Sequence, residues 1–191
     1  MDLEELYRRS VDGFSERVRA VPPDGWSAPT PCAEWDVRGL VNHVVGEQRW
    51  AVPLFAGATI AEVGDRFDGD LLGSDPVGTA QEAAAAAKAA LTAGALGRTV
   101  HLSFGDTPAT EYALQLLADH LIHAWDLAVA TGSDPTLDAE AVRYCAEWFT
   151  EQEPAYRRSG AIGPRVDVPA GASEQDQLVG AFGRDPAWSP A

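Results

Sequence analysis

Asp119 and His123 lie four residues apart in the run YALQLLADHLIHAWDLAVA, Tyr112–Ala130. On a helix that spacing puts both side chains on one face, one turn apart. A carboxylate and an imidazole so placed can share one divalent cation when a third ligand arrives from another helix. His43, within the helical run VRGLVNHVVGEQRW, is a candidate for that third ligand. Two imidazoles and one carboxylate leave positions open on the metal, which is the pattern of a reactive site, since structural zinc is usually closed by four protein ligands. A metal with an open position can polarise a carbonyl, or bind water or a thiol and lower its pKa.

The same residues admit a plainer reading. Gln115, Asp119, His123 and Asp126 follow the pattern of a solvent-facing stripe on an amphipathic helix. Against that, Tyr112–Ala130 contains no Lys, Arg or Glu, the usual residues of a solvated face, yet holds His120 and His123. His43 lies beside the apolar stripe Val37, Val41, Val44, Val45 and Val52, where a boundary histidine with a satisfied hydrogen bond is the ordinary alternative to a ligand. Asp126, one turn beyond His123, suits a carboxylate that accepts an imidazole N–H, or equally a local salt bridge. Glu47 reads first as an exposed helical glutamate, with base or fourth ligand as the alternatives. His120 is turned roughly 60° from His123 on the helical wheel and ranks as a reserve ligand. His101 reads as a surface or hairpin residue.

Cys32 and Cys145 are the two cysteines, with no CxxC spacing, and neither has an adjacent histidine. Both read as buried, inert thiols. Phosphate-cradling glycine loops and a GxSxG elbow are absent, which removes the usual support for nucleotide enzymes and serine hydrolases.

The elements that must carry these residues are helical. A first helix runs from about Leu3 to Val21, with Leu3, Leu6, Tyr7, Phe14 and Val18 at helical spacing, and ends at Pro22 and Pro23. Asp36 is the N-cap of a second helix to about Phe55, after the loop WSAPTPCAEW. The Gly- and Asp-rich stretch up to Ser74 reads as a long mobile connection. Ser74 or Asp75, followed by Pro76, starts a third helix containing AAAAAKAAL. A short extended piece at Val100, Leu102 and Phe104 precedes a Gly-Asp turn. The fourth helix carries the site to about Ala130 and stops at Thr131-Gly132, and Asp138 caps a fifth to about Glu153. The tail ends in a brief helical piece, Ser173–Phe182. The fold class expected is all-α: an up-down four-helix bundle with a hairpin before its fourth helix and an added C-terminal helix and tail.

A chain of 191 residues suits one domain, with residues 154–191 as an extension. With 14 Lys and Arg against 29 Asp and Glu, the formal charge is −15. Such a surface repels phosphate backbones and anionic lipid heads, so no nucleic acid or membrane partner is expected. The cysteine count and the acidic, amphipathic N-terminus, with no basic n-region or apolar h-region, indicate a cytoplasmic protein. The alanine-rich third helix can pack inside the bundle or against a second copy, so a homodimer stays open.

PTPCAEWDVRGLVNHVVGEQRW, DHLIHAWDLAVATG and the closing LVGAFGRDP together resemble the mycothiol-dependent maleylpyruvate isomerase N-terminal-type proteins of the DinB/YfiT-like superfamily. The resemblance spans nearly the whole chain. It implies a DinB-like bundle holding a divalent metal, most often zinc with nickel as the alternative, through His43, Asp119 and His123. Family members more often carry Glu, or His in the wider superfamily, where this chain has Asp119, one methylene shorter. The resemblance also implies a small-molecule thiol such as mycothiol as cosubstrate, and an electrophile as its partner. A thiol-dependent S-transferase or isomerase is the enzyme reading. The alternative is a non-catalytic metal-binding or partner-binding module of the same fold, its metal site degenerate.

Overall fold

The computed structural model describes residues 2–190. Helix α1 (Leu3–Ala20) starts where the Asp2 carboxylate accepts the Glu4 N–H and ends ahead of Pro22. Helix α2 (Val37–Phe55) starts at Asp36, whose side chain takes the Gly39 N–H. A one-turn helix α3 (Ile60–Val63) precedes α4 (Pro76–Ala90), which Asp75 caps at Gly78 N–H. A second one-turn helix, α5 (Ala93–Leu96), leads into the hairpin of β1 (Thr99–Leu102) and β2 (Gly105–Pro108). Helix α6 (Ala109–Thr131) ends at Gly132, whose φ of 67° is the left-handed conformation that glycine adopts freely. Helix α7 (Ala139–Ser159) is capped by Asp138, and α8 (Glu174–Ala181) by Ser173.

Four helices make the bundle. α6 packs on α1 and α2, and α4 closes the ring against the same two. Leu6, Phe14 and Val18 of α1, Leu40, Val41 and Val44 of α2 and Leu116, Leu117 and Leu127 of α6 belong to one core, all essentially without solvent contact. Each such side chain contributes about 1.5–3 kcal/mol through burial. α4 contributes Ala80, Ala83, Ala84 and Ala87, side chains small enough for α1 and α2 to approach closely. The fold is thus the expected all-α DinB-like bundle, with α7 and α8 added against its α6 side.

Three local expectations need correction. The connection 56–74 is tied down: Thr59 and Glu62 cap each other around α3, Asn42 bonds Gly69 and Leu71, and Arg38 bonds Asp70 at 2.9 Å. The hairpin turns at Ser103-Phe104, and Gly105 and Asp106 belong to β2, pairing with Leu102 and His101. α7 continues past Pro154 to Ser159. Proline removes one helical N–H, but packing outweighs that loss: Tyr156 stacks edge-on against Trp148 and Phe149, and Arg157 bonds Glu153 at 2.7 Å. Among the described residues no helix is long and apolar enough to cross a membrane.

Candidate metal centre

The α2–α6 contact brings His43, Asp119 and His123 together at the floor of an open cleft of about 460 Å³. Asp119 Oδ1 lies 3.3 Å from His43 Nε2 and 3.3 Å from His123 Nε2. One carboxylate oxygen thus sits equidistant from two imidazole nitrogens. A charge-assisted hydrogen bond normally closes to about 2.7–2.9 Å. Donor atoms that share a tetrahedral cation at about 2.0–2.1 Å lie roughly 3.3–3.4 Å apart, the separation seen here. The second oxygen, Asp119 Oδ2, is buried and has no hydrogen-bond partner among the described residues. The chemistry of this donor set, nitrogen, nitrogen and oxygen, suits zinc, nickel and their neighbours alike.

The electrostatics agree with the geometry. Burial acts to raise the Asp119 pKa, but the charges of His123 and His43 and their hydrogen bonds hold it well below the usual carboxylate range. Burial acts to lower the His123 pKa, and the Asp119 charge, with hydrogen bonds from the ring to Asp119, Asp126 and Cys32, holds it well above the usual value. An anionic oxygen flanked by imidazoles concentrates positive charge, whether proton or metal ion.

The surroundings fix the ring orientations. Trp35, from the loop before α2, stacks on His43 with centroids 4.6 Å apart and planes 26° apart. Asp126 Oδ2 lies 3.0 Å from His123 Nδ1, the carboxylate–imidazole contact expected of it. That contact holds the ring with Nδ1 toward Asp126 and Nε2 toward Asp119. Asp126 is fully buried and is paired in turn with Arg184 from the tail, at 3.0 Å.

Other residues depart from expectation. His120 points away from the cleft, buried among Tyr7, Phe14 and Gln48, whose Nε2 lies 3.0 Å from His120 Nε2. Burial pushes its pKa down to about 4, so it is a neutral core residue and no reserve ligand. Glu47 is half-buried rather than exposed, and burial, then the Asp119 charge, raises its pKa. Cys145 is a buried thiol as expected, with its pKa pushed up by burial. Cys32 is not buried and inert: it lines the cleft, donates to Asp126 at 3.3 Å and lies 4.0 Å from His123 Nδ1. Cys32, His123 and Asp126 could be mistaken for a second metal cluster. The Arg184 guanidinium, 3.0 Å from both Cys32 Sγ and Asp126 Oδ2, already supplies the positive charge there. His101, on β1, pairs with Asp106 at 2.7 Å on the surface.

The sequence matches the mycothiol maleylpyruvate isomerase N-terminal domain over residues 7–128. The chain belongs to this family. Two uncharacterized proteins of Mycobacterium tuberculosis, from strains CDC 1551/Oshkosh and H37Rv, are each 35% identical to it over 191 residues, covering 96% of this chain and 98% of the relative. No solved structure matches the sequence. All three residues of the trio, together with Trp35, Cys32 and Asp126, fall inside the family match, whereas Tyr156, Phe182 and Arg184, which also line the cleft, lie beyond it.

Proposed function

We propose that the chain is a divalent-metal-binding protein of this family and a metal-dependent enzyme that uses a low-molecular-weight thiol such as mycothiol, of S-transferase or isomerase type. The observation that carries this reading is the placement of Asp119 Oδ1 at 3.3 Å from both His43 Nε2 and His123 Nε2, on the floor of an open cleft. His43, Asp119 and His123 would hold the ion, with zinc the first candidate and nickel the second. Bound there with a position open to the cleft, a divalent cation supplies Lewis acidity and lowers the pKa of a coordinated thiol.

The rest of the chemistry belongs to the protein. Trp35 restrains the His43 ring, and Asp126 restrains that of His123. Ile122, Ile162 and Phe182 give the cleft apolar walls able to shed water around an electrophile. Gln115 and Tyr156 supply polar groups for orientation, Gln115 one turn before Asp119 on α6. A thiol and an electrophile held together in such a space react with much of their entropy cost already met by binding.

The test is thiol consumption by the zinc-loaded protein with mycothiol and a panel of electrophiles, maleylpyruvate included, before and after chelation. Thiol-dependent turnover that disappears on chelation and returns with zinc is expected. A fully loaded protein that turns over none of them would leave the metal-binding or partner-binding module as the better reading.

A further inference from the structure

His123 meets a carboxylate on each ring nitrogen: Asp119 at Nε2 and Asp126 at Nδ1. Asp126 is fully buried, and a buried charge left alone is costly. Its partner comes from 58 residues away in the chain: Arg184 Nε donates to Oδ1 at 3.3 Å and Nη2 to Oδ2 at 3.0 Å. This planar fork fixes the carboxylate's plane as a single-point cation would not. The same guanidinium is held by the Phe182 carbonyl at 2.9 Å and caps Cys32 Sγ at 3.0 Å. Arg184 thus ties the tail to the ligand helix and to the loop ahead of α2.

We propose that Arg184 is a positioning residue of the metal centre, acting through Asp126 on His123, and that tail docking and cation binding are therefore linked. The proposal rests on the three-ligand reading above. Arg184 bonds none of His43, Asp119 and His123 directly; it sets the carboxylate that sets the imidazole. The tail has other anchors: Phe182 stacks on Phe149 at 3.9 Å, the Val166 N–H donates to the Gly180 carbonyl at 2.9 Å, and Arg157 bonds the Ala181 carbonyl. Loss of Arg184 therefore leaves α8 docked and shows its effect at the metal. Linkage is reciprocal: if the docked tail favours the ion, the ion favours the docked tail by the same factor.

The experiment measures zinc affinity by chelator competition, and the visible spectrum of the cobalt-loaded protein, for wild type, Arg184→Gln and Arg184→Lys. Arg184→Gln should weaken zinc by roughly 10–100-fold and change the cobalt spectrum, with one ion still bound. Arg184→Lys, which keeps the charge but loses the fork, should recover part of that affinity. A role confined to stability would lower the melting temperature and leave both metal readouts unchanged; affinity within about threefold of wild type in a folded Arg184→Gln protein would overturn the proposal. Should that variant not fold, amide exchange of residues 174–188 in the wild type decides. Slowing on addition of zinc supports the linkage, and unchanged exchange refutes it. A wild type that takes up neither zinc nor cobalt would overturn the three-ligand reading, and this proposal with it.

Discussion

Glu153 anchors the tail to α7, and its replacement by glutamine should destabilise the protein in a pH-dependent way. Its carboxylate receives Arg157 at 2.7 Å and Arg165 Nε at 2.9 Å, and its side chain is 18% exposed. Hydrogen bonding to Arg165, outweighing partial burial and joined by Arg157, lowers its pKa from the ordinary 4.5 to about 2. Taken in full, such a drop corresponds to roughly 3 kcal/mol; screening at a site this near the surface reduces it to about 1–2 kcal/mol. The folded-state pKa is the lower one, so the contribution is fully present above pH 4.5 and is lost as pH falls from 4.5 toward 2. Urea unfolding of wild type and Glu153→Gln between pH 7 and pH 3 reads this directly. The difference in stability should be about 1–2 kcal/mol at neutral pH and shrink by half or more by pH 3. A difference that is absent at pH 7, or that does not change across this range, would refute the reasoning.

Three further outcomes are expected. Gly183→Ala places a Cβ 3.0 Å from the Pro164 carbonyl oxygen on a backbone with φ of 80°, so it should cost about 2–3 kcal/mol in urea unfolding; a neutral effect would show that the tail shifts freely. His120→Ala should cost about 2–4 kcal/mol, because it opens a cavity between α1 and α6, while elemental analysis still finds the wild-type metal content; loss of the metal would make His120 a ligand after all. Brief iodoacetamide treatment followed by peptide mass spectrometry should find Cys32 labelled and Cys145 unlabelled, since one lines the cleft and the other is 0% exposed; equal labelling would contradict the burial.

Much of the bundle was legible because its signals are local. Asp36 and Asp138 mark helix starts by residue type alone, Asp75 is one of the two candidates ahead of Pro76, and each of the three accepts the backbone N–H expected of a cap. Asp119 and His123 share a face for the same local reason, and the α2–α6 contact brings His43 to them. What escaped the sequence depends on distant partners. Cys32 meets Asp126 across 94 positions and Arg184 across 152, and no spacing rule spans such gaps. The end expected near Glu153 gives way to the aromatic contacts of Tyr156 and the Arg157–Glu153 pair, which carry α7 onward to Ser159. His120 differs from His123 by only part of a turn, yet α1 covers the first and the cleft opens beside the second. The one signal that pointed to the missing arginine was Asp126, a buried acid on an apolar helix that needs a cation.

The three-residue centre is tested most directly by elemental mass spectrometry of the purified protein, after zinc loading and desalting. Wild type is compared with His43→Ala, Asp119→Ala and His123→Ala, with circular dichroism confirming that each variant is folded. The account predicts near one metal per chain in wild type and almost none in any of the three. A wild type without metal, or folded variants that keep it, would contradict the centre built on Asp119.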